Sequence, residues 1–202
     1  MSTHSKASGF SLLELLIVAV IIMAIAALAV PNFMQAYYNM RLKASATELS
    51  GLIQQARIQA ARQNSVSIIG YTTVSPIQAY IDLNLNGQLD SGESTVTLPT
   101  HVVPAASAPS GSGGQPSPYV LAGDTTNGSN TYTNSTTLGF SARGLPCAYA
   151  TNPTTCVTPA ASYFVYYLND QRAGNGNAGW AAVIVTKSGR SKVSLWNGSS
   201  WK

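Results

Sequence analysis

Charged residues and histidines are both scarce in this sequence, which limits the chemistry that it can perform. Lysine, arginine, aspartate and glutamate together make up 9% of the 202 residues, whereas an average globular protein has about 25%. The only histidines are His4 and His101, so a nucleophilic site built on histidine would depend on His101. The sequence also lacks a P-loop, a zinc-protease motif and a dinucleotide-binding fingerprint. We therefore expect no enzymatic activity and no required cofactor.

Cysteine is nearly absent as well, since Cys147 and Cys156 are the only two. Two cysteines are too few for a structural zinc site, and their spacing is not the C-x-x-C of a redox motif. In an oxidising compartment they would form a disulfide, which adds about 2–3 kcal/mol of stability in the chain-entropy treatment. Two free thiols are the alternative. If the protein is exported to such a compartment, the disulfide is favoured.

The few charges are unevenly distributed along the chain, whose formal net charge is +4. From Arg143 to Lys202 there are six basic residues and one acid, Asp170. Three of the seven acidic residues lie within a stretch of twelve, namely Asp82, Asp90 and Glu93. A basic C-terminal region is typical either of a surface that meets nucleic acid or an acidic partner, or of an ordinary solvated face.

A long apolar run near the N-terminus predicts a membrane-spanning helix. Residues 10–30 are apolar except for Ser11 and Glu14, and about 20 helical residues are needed to cross a hydrocarbon core of about 30 Å. The run is too long for the apolar region of a secretory signal, and no A-x-A cleavage site follows it. Apolar residues cover every face of the helix, which argues against the core helix of a soluble protein.

The lone carboxylate in this run needs an explanation, because a charge in the hydrocarbon region costs at least a few kcal/mol. Glu14 lies four residues after Phe10, which is about one helical turn. If the chain were cut before Phe10, the new amine would lie one turn from the carboxylate, and the two charges would attract strongly in a low dielectric. This spacing predicts that Glu14 sets the register of packed helices, within one chain or between neighbours.

The residues around Glu14 carry a specific resemblance. The run GFSLLEL at residues 9–15 resembles the class III leader site of type IV prepilins and type II secretion pseudopilins. The resemblance implies cleavage after Gly9 by the prepilin peptidase/N-methyltransferase, methylation of Phe10, and a contact between Glu14 and the amine of an adjacent subunit. It also implies a single-pass protein of the bacterial inner membrane, with its C-terminal head in the periplasm, that is extracted into a pilus or pseudopilus.

The helical pattern continues beyond the membrane run. Pro31 removes one backbone donor and is expected to bend or loosen the helix. One apolar stripe then follows at three- and four-residue steps: Leu42, Ala46, Leu49, Leu52, Ile53, Ala56 and Ala60. We expect the helix to end near Gln63-Asn64. A helix rich in Ala, Leu and Arg that leads straight into a strand resembles, more loosely and as far as about residue 75, the GspH/FimT branch of the prepilin-like proteins.

Four segments are therefore predicted: a leader at 1–9, a transmembrane helix at 10–30, an amphipathic helix at 31–64 and a β-rich periplasmic head at 65–202. Candidate strands, rich in β-branched and aromatic residues, are 66–74, 79–83, 95–98, 137–141, 163–168, 181–187 and 191–196. Ser188-Gly189 predicts a tight hairpin between the last two strands, and 103–136 is expected to be mostly loop. The fold class is α+β: a long N-terminal helix, half membrane-spanning and half amphipathic, packed on one or two antiparallel β-sheets.

One segment matches a calcium-binding pattern. The run DLNLNGQLDSGE at residues 82–93 fits the loop of EF-hands, in which oxygen side chains at alternate positions converge on a hard cation. The candidate ligands are Asp82, Asn84, Asn86, Asp90 and Glu93. The flanking segments are predicted strands rather than helices, and a hairpin turn rich in Asn, Asp and Gly explains the same residues without a metal. Calcium binding and a plain turn are both open at this point.

The last predicted hairpin is basic. Gly189-Arg190-Ser191-Lys192 resembles the Gly-Arg-x-Arg motif of DNA-binding FimT-type minor pilins, with lysine at the last position. Lys187, Arg190 and Lys192 could contact phosphates, while Trp196 or Trp201 could stack on bases. A charged hairpin on a solvated sheet edge is the simpler alternative, because so few charges bind DNA weakly at physiological salt.

The sequence thus predicts a minor pseudopilin or pilin that assembles with other pilin or pseudopilin subunits, for protein secretion or pilus biogenesis. The alternative function is the capture of DNA for uptake through the basic hairpin. A membrane-anchored enzyme is a third hypothesis, against which the missing catalytic residues argue.

Overall fold

In the computed structural model, residues 11–109, 129–131, 138–151, 154–157, 163–172 and 179–202 are described. They form one long helix and two β-sheets, which confirms the predicted α+β fold. The chain divides into two units, Met1–Tyr37 and Tyr38–Lys202. Gly9 and Phe10, on which the predicted processing depends, lie outside the described residues.

A single helix, α1, runs from Leu12 to Gln63. The large apolar side chains of its first half are exposed, from Leu12 at 84% to Val30 at 54%. Among the described residues, it is the one helix that is long and apolar enough to cross a membrane. The helix continues through Pro31, whose missing N–H removes the intrahelical donor for the Ala27 carbonyl.

The second half of α1 buries one face in the head. All seven residues of the predicted apolar stripe, from Leu42 to Ala60, are at most 3% exposed. The helix ends at Gln63, where Asn64 takes a positive φ of 49°. The Ser65 N–H then donates to the Ala60 carbonyl at 3.1 Å, which is the Schellman-type ending of a helix. The predicted end of the helix is confirmed.

Eleven strands lie within the described residues of the head. They are β1 (Ser67–Tyr71), β2 (Gln78–Asp82), β3 (Thr95–Thr97), β4 (Val102–Ala105), β5 (Ser129–Thr131), β6 (Leu138–Phe140), β7 (Pro146–Thr151), β8 (Thr154–Val157), β9 (Tyr163–Asp170), β10 (Trp180–Thr186) and β11 (Ser191–Trp196). The first sheet has the order β3-β2-β1-β6-β7-β8 and the second the order β11-β10-β9-β4. Neighbours are antiparallel, except that β5 runs parallel to the first part of β9.

The predicted C-terminal hairpin is confirmed. β10 and β11 pair antiparallel, with Val185 opposite Ser191 and Trp180 opposite Trp196. The hairpin loop is Lys187–Gly189, since Thr186 N–H donates to the Arg190 carbonyl at 2.9 Å. Gly189 has a φ of 81°, the left-handed conformation that such a three-residue loop needs.

Four strands were not predicted from the sequence. β4 and β5 lie in or next to the region 103–136, of which residues 110–128 and 132–136 lie outside the described residues, and β7 and β8 form a further hairpin. These strands are only three to six residues long, and β4 and β7 each contain a proline, so the local strand signal is weak. β4 and β5 are strands because they pair with β9, whose buried backbone groups need partners.

The core of the head lies between α1 and the two sheets. Alternate residues of β9 point to opposite faces of the second sheet. Phe164, Tyr166 and Leu168 belong to the main core with α1. Tyr163, Val165 and Tyr167 belong to a smaller apolar cluster on the other face. The second sheet is therefore apolar on both faces.

Candidate functional site

The N-terminal segment places a carboxylate at the start of an uncovered apolar helix. Ser11 precedes α1, and its carbonyl accepts a hydrogen bond from the Leu15 N–H at 3.1 Å. Glu14 is exposed in the first turn, where a negative charge interacts favourably with the helix dipole. The surrounding apolar side chains are exposed as well, and a surface of that size requires lipid or protein to cover it. The geometry thus suits helix packing rather than chemistry.

The acidic turn, defined as Asp82–Glu93, is closed by its own polar side chains. Asp82 is fully buried, and its two carboxylate oxygens accept the N–H groups of Leu85 at 2.6 Å and Gly87 at 2.7 Å. Leu85 and Gly87 have positive φ angles of 64° and 73°. Asp82 therefore organises the backbone of the turn from inside the head.

The remaining candidate ligands of the acidic turn also have hydrogen-bond partners. One oxygen of Asp90 accepts the amide N–H groups of Asn84 at 2.7 Å and Asn86 at 2.6 Å. Glu93 accepts the backbone N–H groups of Leu83 and Asp90, both at 3.0 Å. Within the part of the chain that the structure describes, no group of three or more His, Cys, Asp and Glu residues is placed to hold a metal. The five residues lie together in one turn, and calcium binding stays a prediction.

The acidic turn affects one neighbouring tyrosine. Burial and then the negative charges of Asp82, Glu93 and Asp90 raise the pKa of Tyr80. The phenol of Tyr80 therefore stays protonated at neutral pH, and it adds no charge to the turn.

The basic hairpin, defined as Lys187–Lys192, presents its charges to solvent. Lys187, Arg190 and Lys192 are all exposed. Lys187 lies in the hairpin loop, and Arg190 directly follows the loop. The backbone N–H of Arg190 donates to Thr186 Oγ1 at 3.2 Å. A phosphate or a carboxylate could therefore reach these side chains, as the sequence predicts.

The predicted aromatic part of this surface needs a correction. Trp196 is buried, so its ring cannot stack on a base. Its ring centroid lies 5.5 Å from that of Trp201, which in turn lies 5.8 Å from that of Tyr167. These rings pack on one face of the second sheet, and Trp201 is half-buried there. Alternation along β11 assigns Trp196 to one face of the sheet, but the sequence does not show whether other side chains cover that face.

A row of polar contacts between α1 and the basic hairpin was not anticipated from the sequence. The Gln54 amide donates to the Gly189 carbonyl at 2.9 Å and to Ser191 Oγ at 3.0 Å. Ser50 Oγ and Ser191 Oγ share a hydrogen bond of 2.7 Å. Ser50, Gln54 and Arg57 are four and three residues apart, so they lie on one face of the helix. Their spacing beside the apolar stripe was the sequence signal that could have predicted these contacts.

Arg57 completes this row. Its Nε donates to the Gly144 carbonyl at 3.1 Å, so it joins α1 to the turn between β6 and β7. A Cβ atom on Gly189 would lie only 2.9 Å from Arg57 Nε. Gly189 therefore meets two demands, the positive φ of the hairpin loop and the close approach of the guanidinium group.

The acidic turn is attached to α1 on another side. The Gln55 amide donates to Ser94 Oγ at 2.8 Å, and Ser94 directly follows the turn. Adjacent residues of α1 differ by about 100° around the helix axis. Gln54 and Gln55 thus hold the basic hairpin and the acidic turn at the same level of the helix, on different sides of it.

An ion pair between a buried carboxylate and a half-buried arginine lies near Tyr38 of α1. Arg172 donates to both carboxylate oxygens of Asp170, at 2.8 and 2.6 Å, and its guanidinium carbon lies 3.8 Å from the ring centroid of Tyr38. Burial raises the pKa of the Asp170 carboxyl, but the hydrogen bonds and charge of Arg172 outweigh burial and hold that pKa below its ordinary value. Sequence reasoning missed this pair, because two charges at i and i+2 in a loop form no recognisable pattern.

The two cysteines are joined. Cys147 on β7 and Cys156 on β8 form a disulfide with a Cα–Cα distance of 5.2 Å. The bond links the last two strands of the first sheet, and β8 is the edge strand. Two free thiols, the alternative for these residues, do not occur.

Comparison with known proteins identifies the N-terminal segment. Residues 4–30 match the family described as the prokaryotic N-terminal methylation motif. Neither a curated protein nor a solved structure matches the chain. The match supports a type IV prepilin-like protein and points to a structural subunit rather than an enzyme. The motif implies processing by a prepilin peptidase and assembly with other pilin subunits, and together with the apolar helix it fits anchoring in a membrane.

Proposed function

We propose that this type IV prepilin-like chain is a minor pseudopilin or pilin subunit of the GspH/FimT type. The prepilin peptidase would cut it after Gly9 and methylate the new amine of Phe10. The mature subunit would sit in the bacterial inner membrane with its head in the periplasm, and would then join a type II secretion pseudopilus or a type IV pilus. Its role is mechanical, in protein secretion or pilus biogenesis.

The observation that carries this proposal is the first half of α1. Its large apolar side chains are exposed on every side, and the single carboxylate among them, Glu14, lies four residues after Phe10. Lipid alone would cover the apolar residues, but lipid offers no partner for a carboxylate. A cut before Phe10 supplies an amine, and an amine and a carboxylate in a low dielectric attract strongly. Assembly of cut subunits thus explains both the apolar helix and its charge.

Mass spectrometry of the protein extracted from membranes tests the processing step. In a host that contains a prepilin peptidase, we expect a mature chain that begins at methylated Phe10. In a host without the peptidase, we expect the chain to keep Met1. An intact Met1 in the peptidase-containing host would contradict the proposal.

The genes beside this one test the assignment to a system. Neighbouring secretion genes favour a pseudopilus, whereas neighbouring pilus or competence genes favour a pilus. A deletion of the gene then separates the two, since one predicts a loss of protein export and the other a loss of pili.

A second candidate function is DNA capture through the basic hairpin. The observation that favours it is the exposure of Lys187, Arg190 and Lys192 around one turn. Contacts of this kind are made with phosphates, so binding would weaken steeply as salt rises. A gel shift of the full chain in detergent with duplex DNA tests this function, with Arg190→Ala compared with Arg62→Ala, at an exposed arginine in the last turn of α1. No shift at low salt would remove the DNA function.

A further inference from the structure

Each sheet of the head ends in an edge strand beside α1. β3 is the outermost strand of the first sheet, and β11 is the outermost of the second. Gln55 bonds to Ser94, which directly precedes β3, and Gln54 bonds to Ser191, the first residue of β11. The two edges therefore begin at the same level of α1. An edge strand presents a row of backbone groups that can pair with another chain.

Two residues of β3 turn their backbone groups away from the sheet. Ile81 N–H donates to the Ser94 carbonyl at 3.0 Å, so residue 94 faces β2. Backbone groups alternate sides along an antiparallel ladder, and those of Thr95 and Thr97 therefore point outward. Across the described ranges of the chain, these N–H and C=O groups have no hydrogen-bond partner. The side chains of both threonines are exposed as well.

β11 has the matching feature. Leu195 exchanges two backbone hydrogen bonds with Lys202, at 2.8 and 2.9 Å, on the side away from β10. By the same alternation, Val193 and Ser191 face that side, and as far as the structure describes the chain their backbone groups have no partner there. One end of this edge already accepts an extended segment of the chain, and the other end is open.

The turns that precede the two open edges carry opposite charge. The acidic turn before β3 contains three acids and no basic residue, whereas the basic hairpin at the start of β11 contains three basic residues and no acid. Asp90 is exposed and Glu93 half-buried. Opposite potentials on two surfaces favour their contact and fix its register.

We propose that β3 of one copy of this chain pairs in parallel with β11 of a second copy. The parallel direction brings the acidic turn of one copy to the basic hairpin of the other. In the register that places Glu93 opposite Arg190, Thr95 lies opposite Lys192. The outward groups of Thr95 then fall between those of Ser191 and Val193, as a parallel ladder requires.

This contact is heterologous, because the two edges differ. A pair of copies therefore leaves one β3 and one β11 unused, which other subunits of the assembly can approach. The inference rests on the proposed function, because it names the head surfaces through which assembling subunits would meet.

Cysteine cross-linking in membranes tests this pairing on the full chain. Thr95→Cys and Lys192→Cys are made in two chains with different affinity tags, which are expressed together with a prepilin peptidase and then oxidised. Paired strands bring such residues within disulfide reach, so we expect about tenfold more mixed dimer than in the control. The control replaces Thr95→Cys with Val74→Cys, at a residue that is 75% exposed and lies in the turn between β1 and β2, outside the proposed register.

The charges are tested in the same assay. Arg190→Glu places a negative charge opposite the acidic turn, and we expect it to lower the yield of mixed dimer severalfold. Arg62→Glu makes the same change at an exposed residue in the last turn of α1 and should leave the yield unchanged. Raising the salt concentration should act like Arg190→Glu, because exposed charges are screened.

Four results would overturn the pairing: a dimer from either cysteine variant alone, a yield no higher than with Val74→Cys, cross-links only to other pilins of the host, or equal effects of the two arginine variants. The start of the chain is measured by mass spectrometry in the same samples. A mature Phe10 start without mixed dimer overturns only the edge pairing. An intact Met1 overturns the proposed function, whatever the yield of dimer.

Discussion

The two halves of α1 share one backbone conformation but have opposite side-chain patterns. The first half exposes large apolar residues on all sides, whereas the second buries a single stripe of seven residues and exposes mainly polar ones. A helix satisfies its own backbone groups in either surrounding. The difference teaches that the distribution of apolar residues around the axis, more than their number, decides whether a helix meets lipid or its own head. Single substitutions in one half should therefore leave the other half intact.

The largest expected effect is a loss of assembly in Glu14→Ala. In the proposed assembly, removing the carboxylate removes its attraction to the amine of Phe10, and each 1.4 kcal/mol lost at a subunit contact lowers binding about tenfold. We expect at least that loss in the fraction of chain recovered in cross-linked oligomers or sheared fibres. Thermal unfolding of the head should not change. Glu48→Ala is the matched control, since Glu48 is exposed on the second half of α1; normal assembly of Glu14→Ala would contradict the role of Glu14.

Arg172→Ala should have a large effect on the head. It removes the guanidinium group from a buried carboxylate, which keeps the backbone N–H of residue 172. We expect a loss of about 3 kcal/mol of the free energy of unfolding, the lower end for a broken buried pair, because Arg172 is itself 22% exposed. Chemical denaturation measures this loss, and Arg143→Ala, at an exposed arginine, should cost less than about 0.5 kcal/mol. Equal effects of the two variants would show that the ion pair does not hold the head together.

The same pair predicts a dependence on pH. The folded-state pKa of Asp170 lies below its ordinary value, which is about 4 in an unfolded chain. Its contribution to stability is therefore fully present above pH 4 and is lost as the pH falls through the folded-state pKa. We expect part of the acid sensitivity of the head to disappear in Asp170→Asn, measured as the slope of stability against pH below 4.

Leu49→Ala and Leu16→Ala compare the two halves directly. Leu49 is fully buried in the head, and its truncation should cost about 2–5 kcal/mol of the free energy of unfolding. Leu16 is exposed in the first half of α1, and its truncation should leave unfolding of the head unchanged. A large loss in Leu16→Ala would show that the stability of the head depends on the first half of α1.

Substitution of two glycines, Gly51 on the second half of α1 and Gly189 in the basic hairpin, should change stability in opposite directions. Gly189→Ala forces a positive φ and brings a Cβ against Arg57, so we expect a cost of about 1–3 kcal/mol. Gly51→Ala adds a Cβ that meets no atom within 4 Å on the exposed side of α1, and it should stabilise the head by up to about 1 kcal/mol. Denaturation midpoints that move in the same direction for both variants would contradict this.

Calcium gives the smallest expected effect. If the acidic turn binds calcium with a Kd of about 1 mM, 10 mM calcium stabilises the head by about 1.4 kcal/mol. Thermal melting measures this as a rise in Tm, and Asp90→Asn should remove it while magnesium at the same concentration serves as the control. No rise at 10 mM calcium would sink the calcium hypothesis.

The sequence predicted the parts of the fold that depend on local pattern. The apolar stripe from Leu42 to Ala60, the end of α1 near Gln63 and the hairpin at Ser188-Gly189 are all confirmed. Periodicity and turn residues act over a few positions, and a sequence displays both directly. The match to the methylation motif over residues 4–30 likewise supports the prepilin-like N-terminus.

The parts that could not be predicted depend on contacts between distant residues. β4 and β5 are strands only because β9 pairs with them. Trp196 has a side chain that could stack on a base, yet the ring of Trp201 packs against it. Gln54 and Arg57 contact residues more than 80 positions away. These contacts could be identified only from the structure, because a local sequence pattern does not show which turn packs against which side of a helix.

The disulfide between Cys147 and Cys156 also makes the chain a reporter of its own topology. Cytosolic thiols stay reduced, whereas thiols exported to an oxidising compartment form disulfides. The sequence has no other cysteine, so each molecule, once unfolded to expose the buried Cys147, takes either two maleimide labels or none. If the head is exported to the periplasm as proposed, the labelled fraction measures how much of the population still has its head on the cytoplasmic side. No reporter needs to be fused to the chain, and neither edge of the head is disturbed.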